Sequence, residues 1–355
     1  MAKGWFSTKI GRRLLPIITA FASVLGAFAH VPAVSAADAE WIAAAKKEGE
    51  VVWLGTLAVD DLARPLIQAF EKKYGVRVRY NRNNVTDIIL KVAAEAEAGR
   101  NGVDLVDGTF TSQALKPKGL LMNWLPMAAE RFPADLVDPE KTWVAINLYF
   151  ATPAFNTDAI ARGSEPLTLQ DLLQPRWRGK IAWSSVAGSA TGAGFIGAVL
   201  RDLGEQAGME YLTALAKQDV TGVPVQARAL LDQVISGEYP IMLQGFNSQA
   251  IVAKRKGAPV DWIPMNPATG ALIASSVIKK APHPAAARLL LDFLISEEGQ
   301  SIFRDHDYIP ADPAIAPLDP TARPDGVRFR AHFLSPEETA EQMPKWLKIY
   351  SDLFR

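Results

Sequence analysis

Residues 51–55 read Val51-Val52-Trp53-Leu54-Gly55. An unbroken apolar run of this length, closed by glycine, predicts a strand buried on both faces, and such strands belong to parallel sheets covered by helices. Outward from it the chain keeps alternating. Residues 39–47 predict a short helix ending near Gly49. Downstream, Asp60 or Asp61 can cap a helix with the apolar stripe Leu62, Leu66, Ile67 and Phe70, stopped at Gly75. Pro65 falls in its first turn, where a missing N–H costs least. Val76-Arg77-Val78-Arg79-Tyr80 alternates as a strand, residues 81–84 form a polar loop, residues 85–98 a helix ended by Gly99, and Val103-Asp104-Leu105-Val106 a third strand. Strand, helix, strand, helix, strand implies an α/β architecture.

The rest of the chain repeats the theme. Thr168-Leu169-Gln170-Asp171 is a capping box, and residues 180–183 predict a strand. Residues 184–194, rich in Ser, Gly, Ala and Thr, open onto a helix at 195–203. Residues 227–235 form a helix ended by Gly237, 240–243 a strand, and a further helix runs to about Lys254. Residues 272–279 read as a strand and 285–294 as an apolar helix. Ser335-Pro336-Glu337-Glu338 starts a last helix with proline at its first position. Residues 310–324 hold five of the 24 prolines and predict an extended path. No repeat and no low-complexity tract is present.

The first 36 residues are set apart. Lys3, Lys9, Arg12 and Arg13 precede an apolar run at 14–28, and Val34-Ser35-Ala36 offers small side chains for cleavage. This order reads as a secretory leader, 1–36, and the run is short of the ~20 residues of a membrane span. Arg12-Arg13 leaves twin-arginine export open beside the general route. Cleavage after Ala36 leaves 319 residues with 34 basic and 38 acidic side chains, a formal charge of −4. That balance offers no footprint for nucleic acid. The absence of cysteine excludes disulfides, thiolate metal sites and cysteine nucleophiles.

Candidate chemistry lies in the loops that follow strands and open helices: Gly55-Thr56, residues 81–84, 108–112, 184–192, and Gly245-Phe246-Asn247-Ser248. In open α/β sheets, ligands sit beyond the carboxyl ends of the strands, where helix N-termini present free N–H groups. Taken singly, each loop is a helix cap; five in succession point to a shared cleft. Thr56, Thr109, Thr111, Ser112, Ser184, Ser185, Ser189 and Thr191 are the candidate hydroxyl donors, joined by Asn247. Arg82 or Arg228 would fork an oxyanion, and Tyr149, Trp183 and Phe246 would shape the walls. Trp53 and Trp183 each end a predicted strand and so can reach the cleft, although most aromatics are core.

Enzyme signatures are weak. Gly192-Ala193-Gly194-Phe195-Ile196-Gly197 matches a dinucleotide fingerprint by letters alone, without its acidic partner. Ser189 lacks the glycines of a nucleophile elbow. Beyond the leader, His283, His306 and His332 have no metal-ligand spacing. His283 reads as a surface cap before Pro284, and Asp305-His306-Asp307 as a solvated loop.

Several stretches, in this order, resemble the extracellular solute-binding family that includes ferric-ion, phosphonate, thiamine and polyamine receptors. They are Val51-Val52-Trp53, residues 69–76, Ala94-Glu95 with Ala98-Gly99, Asp104-Leu105-Val106, Phe155-Asn156-Thr157, residues 169–179, 236–241, 283–287 and 294–300. The resemblance implies a two-lobed, type II-like periplasmic-binding-protein fold, each lobe a mixed, mostly parallel sheet with helices on both faces, joined by two crossing strands. Lobe one would hold 37–148 and 272–315, and lobe two 152–265. An extended segment and helix would follow at 316–355. It also implies a monomeric periplasmic receptor that closes on its solute and delivers it to an inner-membrane ABC permease. Where ferric-ion members carry paired tyrosines, this chain reads Gln244-Gly245-Phe246-Asn247-Ser248, and Leu54-Gly55-Thr56 replaces a histidine some members use. No metal and no cofactor is expected. The expected solute is small and anionic or zwitterionic: a phosphonate, organic phosphate or carboxylate. The alternative is a cation receptor for ferric iron, a polyamine or thiamine, which needs Asp60, Asp61 or Asp107 to face the cleft. A secreted hydrolase is a third reading, which the scarce histidines disfavour.

Overall fold

The computed structural model describes residues 36–185, 190–333 and 336–354; all of the expected leader except Ala36 lies outside the described residues. The chain opens with α1 (Ala36–Glu48), β1 (Glu50–Gly55), α2 (Arg64–Tyr74), β2 (Arg77–Arg82), α3 (Val85–Glu97), β3 (Leu105–Gly108), α4 (Thr111–Leu115) and β4 (Val144–Asn156). The middle holds β5 (Ile181–Ser184), α5 (Ala190–Leu203), α6 (Glu205–Ala216), β6 (Thr221–Val223), α7 (Ala227–Ile235), β7 (Ile241–Phe246), α8 (Asn247–Arg255) and β8 (Val260–Trp262). The last part is β9 (Ala268–Val277), α9 (Pro284–Ile295), α10 (Glu297–Asp305), β10 (Ile309–Pro310), β11 (Ala331–Phe333) and α11 (Pro336–Leu353).

The strands lie in the order β2-β1-β3-β9-β4-β7-β5-β6. At one end β2, β1 and β3 run parallel; at the other β7, β5 and β6 do. Between these parallel groups, β9 and β4 run antiparallel to their neighbours. The fold is thus two α/β lobes sharing a central antiparallel pair. At the outer edge, Arg77 and Arg79 of β2 turn outward while Val78 turns in, a charged edge that discourages further pairing.

β4 is the longest of several elements the sequence reading lacks. Its first half pairs with β9 and β10, its second half with β7 and β8. Every residue in it except Tyr149 is buried. Pro153 sits where the β4–β7 register shifts, the place in a sheet where a residue without an N–H does least harm. No 2- or 3.6-residue period survives in a strand buried on both faces and interrupted by Asn147, Thr152 and Pro153.

The cores divide in the same way. One gathers Trp53, Leu66, Phe70, Phe150, Leu290, Phe293 and Phe329. A second gathers Phe155, Trp183, Phe195, Ile241 and Ile263 with Trp346 and Ile349 of α11. Two local expectations are corrected. Asp60 and Asp61 cap nothing; they lie in a short π-type turn, Val59–Ala63, and Asp60 pairs with Arg64. His283 is a partner of a buried acid, with its backbone N–H and Nδ1 at 2.7 and 2.9 Å from the Asp104 carboxylate, which also accepts from Val52 N. A carboxylate with no exposure must find donors, and Asp104 finds them on β1 and before α9.

Candidate functional site

A cleft of about 770 Å³ opens between the lobes. The first lobe contributes Thr56 after β1, Asp60 and Asp61 in the π-type turn, Arg82 at the end of β2, Asp305 at the end of α10, and His306 to Tyr308 between α10 and β10. The second lobe contributes Arg228 from the first turn of α7 and Ser248, Gln249, Val252, Ala253 and Lys256 along α8. Tyr149 of β4 lines it from the shared strand. β1 and β2 deliver their residues from their carboxyl ends, and β7 runs straight into α8, as a ligand site in an open sheet requires.

The charges are unequally engaged. Arg228 is tied to Asp232 at 2.7 Å, Asp60 to Arg64, and Asp305 to Arg304 at 2.8 Å. Asp307, held at φ +69°, pairs with Arg255 of α8 and so links the two walls. Arg82, Lys256 and Asp61 have no ion pair among the described residues, which leaves two cations and one carboxylate free to meet a solute. The Tyr149 ring lies 5.2 Å from Phe246 and 6.4 Å from Tyr308. Burial pushes the hydroxyls of Tyr149, Tyr308 and Tyr80 above the ordinary tyrosine value, while Arg82 pulls them down. These phenols are neutral hydrogen-bonding groups at neutral pH. Among the described residues no three His, Asp or Glu side chains gather as a metal-binding set.

Thr56, Arg82, Tyr149 and Arg228 are therefore brought together, with Phe246 against Tyr149. The other predicted residues are engaged elsewhere. Trp183 has no exposed surface and packs against Tyr350 and Phe354 at 4.7 and 4.4 Å, so it is core and not wall. Thr111 donates to Asp107 O at 3.2 Å, Ser276 donates to the buried Ser112 hydroxyl at 2.7 Å, and Ser184 donates to Val225 O at 2.6 Å. Asn247, also fully buried, donates to Ala322 O at 2.6 Å. Buried hydroxyls and amides must be satisfied, and these are satisfied within the fold. Thr109 and Ser185 are half-buried and are not among the residues lining the cleft. Ser189 and the Thr191 side chain lie outside the described residues.

Trp53 is also core. Its Nε1 donates at 2.7 Å to Asp107, which is fully buried and also accepts from Thr56 N and Oγ1, both at 2.8 Å. Burial pushes the Asp107 carboxyl up to about 6 against the pull of those hydrogen bonds. Two parts of the cleft were missed. Asp305-His306-Asp307 reads locally as solvent loop, and only α10 and β10 carry it to the cleft. On α8, Gln249, Val252, Ala253 and Lys256 share one helix face at i, i+3, i+4 and i+7, a spacing visible in the sequence but too short to distinguish a cleft wall from an ordinary helix face.

Two lobes, a shared pair of strands and a charged cleft between them define a two-lobed binding protein. A profile of the bacterial extracellular solute-binding protein family matches residues 83–330, and the chain belongs to that family. A protein of Haemophilus influenzae, carried as "Uncharacterized protein", is 26% identical over 262 residues, 69% of this chain and 72% of that one. Among solved structures, iron-bound HitA from Pseudomonas aeruginosa has a TM-score of 0.70 at 19% identity, covering 84% of this chain and 99% of that one. The periplasmic binding protein AfuA from Actinobacillus pleuropneumoniae, with exogenous fructose-6-phosphate bound, has a TM-score of 0.69 at 18% identity, covering 86% and 98%. At these identities the structural likeness establishes the fold. Among the described residues, no helix is long and apolar enough to cross a membrane.

Proposed function

We propose that this chain is the periplasmic receptor of an ABC importer. It captures a small anionic or zwitterionic solute, a phosphonate, organic phosphate or carboxylate, and hands it to an inner-membrane permease. The observation that carries this is the pair of cations on opposite walls, Arg82 on the first lobe and Lys256 on the second, that have no ion partner among the described residues. An anion between them would attract both walls at once, so binding energy would favour the closed lobes. Thr56, Tyr149 and Arg228 would complete the contacts, and the gap is within the size range of small-molecule sites, about 300–1,000 Å³. AfuA, bound to a sugar phosphate, supports an anionic solute in this fold. The rotating units would be 37–148 with 272–315 against 152–265, joined through β4 and β9.

The test is titration calorimetry of the exported form against alkyl phosphonates, sugar phosphates and carboxylates. Micromolar or tighter binding of one such class is expected. A second reading, a cationic solute, is favoured by Asp60, Asp61, Asp305 and Asp307 at the cleft. Silence from every anion together with tight binding of a polyamine, thiamine or ferric iron would replace the first reading with the second.

A further inference from the structure

The wall beneath Thr56 is built around a carboxylate without a counter-charge. Asp107 has no exposed surface, and both its oxygens are in use: Oδ1 accepts the Thr56 backbone N–H and the Thr56 hydroxyl, Oδ2 accepts the Trp53 indole. Gly55 makes the room, because a β-carbon there would stand 1.9 Å from Asp107 Oδ2. No Lys, Arg or His pairs with Asp107 among the described residues. Had the loop needed only fastening, a neutral acceptor would have served without the cost of burying a charge.

This arrangement sets the polarity of Thr56. An ionised carboxylate only accepts hydrogen bonds. The Thr56 proton is therefore committed inward, and the oxygen has only lone pairs left to offer the cleft. The buried charge behind it adds negative potential at the same spot. Thr56 was expected from the sequence as a donor to an oxyanion; its bonding makes it the opposite.

We propose that Thr56, oriented by Asp107 as a positioning residue, is the subsite for a hydrogen-bond donor on the solute, a hydroxyl or ammonium group. The receptor would then select an anion bearing such a group over its unsubstituted analogue. This deepens the anion reading of the cleft and rests on it. Gly55 lies across the β1–β2 ladder from Arg82, so the donor subsite and the free guanidinium come from adjoining strand ends. That suits a solute whose donor and anionic group are a few bonds apart.

The experiment is titration calorimetry of the exported chain at pH 7.5 with ethyl phosphate, 2-hydroxyethyl phosphate and phosphoethanolamine, and with ethylammonium and tetramethylammonium. The two substituted phosphates are expected to bind at least ten-fold more tightly than ethyl phosphate. Thr56→Val, nearly isosteric, should bring that ratio to within about two-fold, and Thr56→Ser should restore it. Asp107→Asn should reduce the preference for phosphoethanolamine more than that for 2-hydroxyethyl phosphate, which a merely structural role would not do. Equal affinity for all three phosphates, or a ratio unmoved by Thr56→Val, overturns the donor subsite while leaving the anion reading intact. If no phosphate binds, the phosphate branch of the anion reading fails instead, and the phosphonate and carboxylate branches stand or fall on the titrations above. The subsite then survives only if ethylammonium outbinds tetramethylammonium ten-fold and Thr56→Val abolishes the difference. Binding of none of the five overturns the donor subsite together with the phosphate branch.

Discussion

Trp346 of α11 occupies the place a β-carbon on Gly197 would need: three atoms of its ring system lie 2.5–2.7 Å from that position. Gly197 is in the interior of α5, where alanine would ordinarily be favoured by about 1 kcal/mol. The contact opposes that gain, because the indole is rigid, 3% exposed and part of the second core. We expect Gly197→Ala to destabilise the protein by about 1–2 kcal/mol net, read as a lower urea midpoint. A gain in stability would show that α11 is held more loosely than the packing indicates.

The Asp107 carboxyl sets a second expectation, with a definite sign. Its folded value, about 6, lies above its ordinary value of 3.8. The folded state therefore holds the proton more tightly, and the stabilisation this brings is present below pH 3.8 and lost as pH rises through about 6. Relative to Asp107→Asn, the wild type should lose up to about 3 kcal/mol across that window. Urea unfolding of both proteins from pH 3.5 to 7.5 measures the difference, and a flat difference would contradict the burial argument.

Asp104 should be among the costliest acids to remove. It is fully buried and accepts from Val52 N, His283 N and His283 Nδ1. Asp104→Ala would strand these groups and release the link between β1, β3 and the start of α9. A loss of about 3–5 kcal/mol is expected, measurable by chemical denaturation; a loss under about 1 kcal/mol would mean that water replaces the carboxylate freely.

Arg82 should behave in the opposite way. It is exposed and unpaired among the described residues, so Arg82→Ala is expected to leave the unfolding midpoint within about 0.5 kcal/mol. Affinity for an anionic solute should fall ten- to hundred-fold, as for a lost charge-assisted hydrogen bond of about 1.5–3 kcal/mol. Calorimetry at two salt concentrations checks it, since the wild-type advantage should shrink as salt rises.

Much of the first lobe is legible because its elements announce themselves locally. β1 is an apolar run closed by Gly55, and α2 carries its stripe and ends at Gly75 in the left-handed conformation; in the second lobe, α7 likewise runs over the expected residues 227–235. β4 is not legible, because burial on both faces erases any period and Pro153 argues locally against a strand. The same limit applies to the site. Arg82 and Thr56 could be named because they follow predicted strands. Tyr308 and Lys256 could not, since one follows a solvent-like loop and the other ends a short helix.

By itself, the order of residues determined the alternation of strands and helices, the family resemblance and the set of polar loops at strand ends, since each depends on neighbours a few positions apart. Only the tertiary structure decided which of those polar groups face the cleft. Ser112 is taken by Ser276, 164 residues away, and Asn247 by Ala322, 75 residues away. A hydroxyl or amide in a loop has the same local sequence whether it meets a solute or a distant partner; the long-range contact alone settles which.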